Sequence, residues 1–129
     1  MKGALVALLV VAGCSIGTRP AHFRPAAGPA GVTTEIRTKG ERLTGELLAL
    51  DDTALVLRRL GGTQPVAFVR YSSIRASRFE QVGVSLSGRP PLAREREELR
   101  LVSRFPQGLN DDLLRKLLAA YAQAEPLVY

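Results

Sequence analysis

Reactive side chains are few in this chain, and their positions limit what they can do. The single cysteine, Cys14, and the single histidine, His22, stand near the start of 129 residues. One cysteine cannot close an internal disulfide, which leaves a buried thiol, a metal ligand, a nucleophile or a modification site. A metal site needs further ligands, and His22 lies eight residues away in a Pro/Ala/Gly stretch, not at ligand spacing. A Ser-His-Asp triad would have to use the same His22. Asp51-Asp52 could be imagined as paired carboxylates for acid–base work, but neighbouring side chains at a strand end point apart, and a turn accounts for both. Gly61-Gly62 lacks the Lys-Ser/Thr that completes a phosphate-cradling loop. These residues point away from an enzyme, a metal site and a cofactor.

The position of Cys14 is more telling than its chemistry. Met1-Lys2 gives a short positive start, and Ala4 to Ala12, ALVALLVVA, is apolar without a break. That run falls short of the roughly 20 residues that span a bilayer. It fits the apolar region of a secretory signal, about 7–15 residues long and followed by small residues. Val11-Ala12-Gly13-Cys14 then resembles the lipobox of bacterial lipoproteins: an aliphatic residue, two small residues and a cysteine. The resemblance implies a diacylglycerol on the Cys14 sulfur, removal of residues 1–13 as a signal peptide, and acylation of the new amino terminus by a fatty acid such as palmitate. Each buried methylene contributes about 0.8 kcal/mol, so two or more chains hold a protein on a membrane. Ser15, where Asp favours retention at the inner membrane, implies an outer-membrane anchor facing the periplasm if the source is Gram-negative.

Ser15 to Gly31, SIGTRPAHFRPAAGPAG, carries Pro20, Pro25 and Pro29 and few large apolar residues. Such a segment cannot bury enough surface to order itself, and residues 14–31 are expected to be a flexible tether. From Val32 the texture changes to short alternating runs: VTTEIRT, ERLTGELLAL, TALVLRRL, PVAFVRY and IRASRFEQVGVSL. Lys39-Gly40, Asp51-Asp52 and Gly61 to Gln64 separate them as turns. Close spacing of about five strands predicts a small bent antiparallel sheet or barrel over residues 32–88. A glycine inside a strand signals a bulge, a bend or a close approach, and the bend is expected at Gly45.

Gly40 to Asp52, with Gly45 central, followed by Ala54-Leu55-Val56-Leu57 and by Val69 to Ile74, resembles the Sm-like small barrels. The resemblance implies the barrel. The RNA site of that family does not carry over: Asp52-Thr53-Ala54 offers no base-binding Asn, and Arg70 is followed by Tyr71 rather than Gly.

Residues 89–129 read as a two-helix segment, which makes the chain mainly β with C-terminal helices, an α+β class. Arg89-Pro90-Pro91 ends the sheet region. LAREREELRLVSRF follows, acidic early and basic late, with a thin stripe of Leu92, Leu99, Val102 and Phe105. Asn110 is an N-cap candidate ahead of Asp111-Asp112. Leu113, Leu114, Leu117, Leu118 and Tyr121 fall on one face of the next helix, which Pro126 is expected to end. That face either packs on its own domain or binds a partner, because a large exposed apolar patch implies a contact.

The formal charge is +6, but it is diluted: residues 32–88 hold eight basic and six acidic residues, and 89–129 hold seven and six. No Lys/Arg block of the kind found in nucleic-acid tails is present. Arg58, Arg59, Arg70, Arg75 and Arg78 could still form a basic stripe. The leading expectation is a lipid-anchored, non-catalytic cell-envelope protein that acts through contacts with an unidentified envelope protein. The alternative is an Sm-like RNA-binding protein if Cys14 is not lipidated. An exported protein meets little RNA, which speaks against nucleic acid as the partner. A small-molecule ligand is left open.

Overall fold

The computed structural model describes residues 30–129. Val11, Ala12, Gly13, Cys14 and His22, with the expected signal peptide and nearly all of the tether, lie outside the described residues. The elements run β1 (Thr33–Arg37), β2 (Arg42–Leu50), β3 (Ala54–Arg59), β4 (Val66–Arg70), a turn of 3-10 helix (Tyr71–Ser73), β5 (Ala76–Phe79), α1 (Ala93–Leu101), α2 (Asp111–Ala120) and β6 (Leu127–Val128). The six strands form one sheet in the order β5-β1-β2-β3-β4-β6. Every pairing is antiparallel except that of β6, which runs parallel to β4. The class is mainly β with two C-terminal helices, as the sequence predicts. The sheet stays open, with β5 and β6 as its edges, so it is a bent sheet rather than a closed barrel.

β1 shows how alternation becomes a two-sided strand. Thr34 and Ile36 are buried, while Thr33, Glu35 and Arg37 are exposed. β2 begins in step with it: Leu43 and Leu47 face the inner core, and Arg42, Thr44 and Glu46 face outward opposite Arg37, Glu35 and Thr33. The step breaks at Leu48. Leu47 pairs with Leu57 and Ala49 with Val56, leaving Leu48 as the extra residue of a β-bulge. Leu48 and Ala49 therefore both join the outer cluster, and Leu50 returns to the inner one. The irregularity sits three residues beyond the expected bend at Gly45. Gly45 serves instead as a close approach: a Cβ there would lie 2.3 Å from the Arg58 carbonyl oxygen.

The bulge also frees backbone groups for new partners. The Leu47 and Leu48 carbonyls accept the Arg104 and Phe105 N–H groups at 3.0 and 2.8 Å. Val32 donates to the Val102 carbonyl, and Leu47 donates to that of Val32. The segment after α1 and the entry to β1 are thus both fastened to β2.

Two apolar clusters result, one on each side of the sheet. The inner cluster includes Ile36, Leu43, Leu47, Leu55, Leu57, Val69, Tyr71, Phe79 and Leu99 from α1. The outer one holds Leu48, Ala49, Val56 and Val66, covered by Phe105, Leu117 and Leu118. The thin stripe of α1 is split: Leu99 and Val102 serve the inner cluster, Phe105 serves the outer one, and Leu92 is exposed.

Element boundaries depart from the sequence reading in four places, the first being α1, which ends at Leu101 rather than running to Phe105. β5 ends at Phe79 rather than running toward Leu86. The chain turns at Gln81, whose φ is 75°, yet Val84 and Leu86 still reach the inner cluster, and the Leu86 N–H donates to Ser77 Oγ at 2.8 Å. α2 ends at Ala120, well before Pro126. There Gln123 N–H reaches the Leu118 carbonyl and Ala122 N–H that of Ala119, with Ala122 at φ 53°. This is a Schellman ending built on a left-handed alanine. Finally, Leu127-Val128 adds a sixth strand. The N–H of Tyr129 donates to the Phe68 carbonyl, and Arg70 N–H donates to that of Tyr129.

Candidate functional site

The apolar face predicted on α2 lies against the chain's own sheet. Leu117 and Leu118 are buried in the outer cluster, Leu113 and Leu114 pack partly buried against it, and Tyr121 caps the helix end at 37% exposure. Asn110 Oδ1 accepts the Leu113 N–H at 2.7 Å, as the N-cap reading predicts. Besides Tyr121, the large apolar side chains that remain exposed among the described residues are elsewhere: Leu60, Leu92, Leu101 and Val128.

The five arginines of the expected basic stripe are not brought together. Arg58 Nε bonds Glu46 at 3.0 Å, Arg59 bonds the Gln64 carbonyl, and Arg70 bonds that of Tyr129. Arg75 and Arg78 belong to β5 and its approach, at the other side of β1 and β2. Asp51 and Asp52 hold a turn. The Asp51 carbonyl accepts both the Tyr71 hydroxyl at 2.9 Å and Arg96 at 3.3 Å, and Arg96 lies 3.7 Å from the Asp52 carboxylate. Burial raises the Tyr71 hydroxyl pKa above its ordinary value, against the opposing effect of nearby Arg96. The phenol is therefore held protonated as a donor. At the start of α1, Glu95 accepts from Leu92 N–H and from Arg89, and the Arg89 bond lowers its carboxyl pKa.

Two arrangements were not legible in the sequence. The first is a buried carboxylate. Glu46, 6% exposed, meets Arg58 at 3.0 Å and Arg104 at 3.1 Å, and its Oε2 accepts the Gly31 N–H at 2.8 Å. A buried carboxylate is tolerable only with such charge-assisted partners. Gly31 has no room for a side chain, since a Cβ would fall 1.9 Å from the Leu47 carbonyl oxygen. This joint fixes where the chain enters the folded domain.

The second is an open groove of about 340 Å³ on the outer face of β5, β1 and the start of β2, lined by Glu35, Ile36, Arg37, Arg42, Ala76, Ser77 and Arg78. Cross-strand register makes it: Arg78 stands opposite Glu35, and Arg37 stands between Ala76 and Arg42. The sequence carried half the signal, in the outward alternation of Glu35 and Arg37. The other half needed the β1–β5 pairing of residues about 40 apart. Among the described residues, no group of three or more His, Cys, Asp or Glu side chains is placed to hold a metal ion, and no helix is long and apolar enough to cross a membrane.

No known family matches the chain. No curated protein matches its sequence, and no solved structure matches its fold.

Proposed function

We propose that this chain is a lipid-anchored, non-catalytic protein of the bacterial cell envelope, tethered through Cys14 and acting through protein contacts in a structural or assembly role. The observation that carries the proposal is Val11-Ala12-Gly13-Cys14 at the end of an apolar run with a positive start. The Pro-rich segment up to Gly31 suits a spacer between an anchor and a folded domain. The joint at Gly31, Val32 and Glu46 supports the same reading, because it gives the domain a firm point of attachment for such a spacer. The non-catalytic part rests on how polar groups are used: Glu46 closes an ion-paired joint, and Asp51, Asp52 and Tyr71 secure a turn. Since α2 spends its apolar face on the sheet, partner contacts fall to exposed side chains such as Leu60, Leu92, Leu101 and Val128.

Metabolic labelling with a radioactive fatty acid tests the anchor, on the natural sequence and on Cys14→Ser, each followed by membrane fractionation. Label only in the natural chain, with the variant unprocessed or released from the membrane, is the expected result. Absence of label together with a cytoplasmic location would overturn the proposal, and RNA binding by the sheet domain would then be the reading to test.

A further inference from the structure

The groove over β5, β1 and the start of β2 has the chemistry of an anion site. Arg37, Arg42 and Arg78 line it, all three exposed. Among the described residues, the ion pairs of the domain lie elsewhere: Arg58 and Arg104 with Glu46, Arg89 with Glu95, Arg96 with Asp52, Arg100 with Glu97, and Arg115 and Lys116 with Asp112. Among the described residues, no ion pair within 4.0 Å and no side-chain hydrogen bond engages the three groove arginines. Three guanidiniums thus face one concavity with their donors unspent. An arginine presents a planar fork of N–H donors that matches the oxygens of a phosphate.

One further feature defines the ligand. Glu35, the only acidic side chain in the lining, sets the charge balance: three cations and one carboxylate leave two positive charges. We propose that this groove binds a phosphate group carrying about two negative charges, a phosphate monoester or a diphosphate, with Arg37, Arg42 and Arg78 as donors and Glu35 as the brake on affinity. Register explains why the residues converge. Arg78 and Glu35 are directly opposed, as are Arg37 and Arg42, so the three arginines bracket the single carboxylate across adjacent strands. The proposal uses no residue before Glu35 and does not rest on a lipid anchor.

Isothermal titration of the full chain in non-ionic micelles tests it, with two probes at constant ionic strength: inorganic pyrophosphate, and micelles doped with phosphatidic acid against undoped ones. Constant salt matters because exposed charges are screened over about 8 Å at physiological ionic strength. Saturable binding is expected, weakened about tenfold by Arg42→Gln and by Arg78→Gln, strengthened by Glu35→Gln, and unchanged by Lys116→Gln on α2. Binding of pyrophosphate alone supports a soluble ligand, and binding of doped micelles alone supports a lipid headgroup. Circular dichroism of the variants checks that the fold is kept. Failure of both probes to bind, or equal weakening by Lys116→Gln, overturns the assignment.

Discussion

On the outer face of the sheet, the half formed by the end of β2, β3 and β4 lies under α2, while the half formed by β5, β1 and the start of β2 remains open. They meet on one strand. Before Leu48, the outward residues of β2 are Arg42, Thr44 and Glu46; from the bulge onward they are Leu48 and Ala49. The change from polar to apolar lies in the residue types, since Leu48 keeps the side that Arg42, Thr44 and Glu46 share, while the bulge adds Ala49 to that side and turns Leu50 inward without ending the strand. Glu46 stands at the border and fastens Arg58, Arg104 and Gly31 there. One half is spent on stability, and the other keeps its arginines available.

This division can be broken most forcefully on the covered half. Leu117→Ala is expected to cost about 2–4 kcal/mol, because it empties a buried site between α2 and the sheet; the urea midpoint reads it. At the border, Glu46→Gln is expected to cost about 1–2 kcal/mol, less than a fully buried pair because both arginines are partly solvated. Amide hydrogen exchange should also quicken at Gly31 and Arg104 as the joint loosens. Where α2 ends, Ala122→Gly should raise stability by about 0.5–1 kcal/mol, since a left-handed residue suits glycine; calorimetry would show the higher Tm. On the open half, Arg42→Gln and Arg78→Gln should leave the unfolding free energy within about 0.5 kcal/mol of unchanged, read from the urea midpoint. A large loss there would mean that the open half is a second structural face and would erase the contrast.

Local signals explain which parts of this were legible. Alternation in Thr33 to Arg37, the Lys39-Gly40 and Asp51-Asp52 turns, and the Asn110 cap all act within a few residues, and each is where the sequence places it. The bulge was not, because Leu48 and Ala49 look like any apolar strand end until Val56 and Leu57 fix the register. β6 escaped for a similar reason. A two-residue strand has no period to read, and it is held by Gln123, whose side chain bonds both the N–H and the carbonyl of Val66 from 57 residues away. The barrel expectation stopped short because strand spacing predicts neighbours but not whether the two edges meet. The Arg stripe failed and the groove was missed on the same ground: which arginines share a surface depends on strand order, and β5 sits beside β1 rather than beside β4.

The central claim concerns Cys14, and the intact mass of the protein purified from its native membrane tests it most directly. The account predicts a chain that begins at residue 14 and carries the added mass of a diacylglycerol, with or without a further acyl chain. A mass equal to that of the unmodified chain, with residues 1–13 still attached, would contradict it.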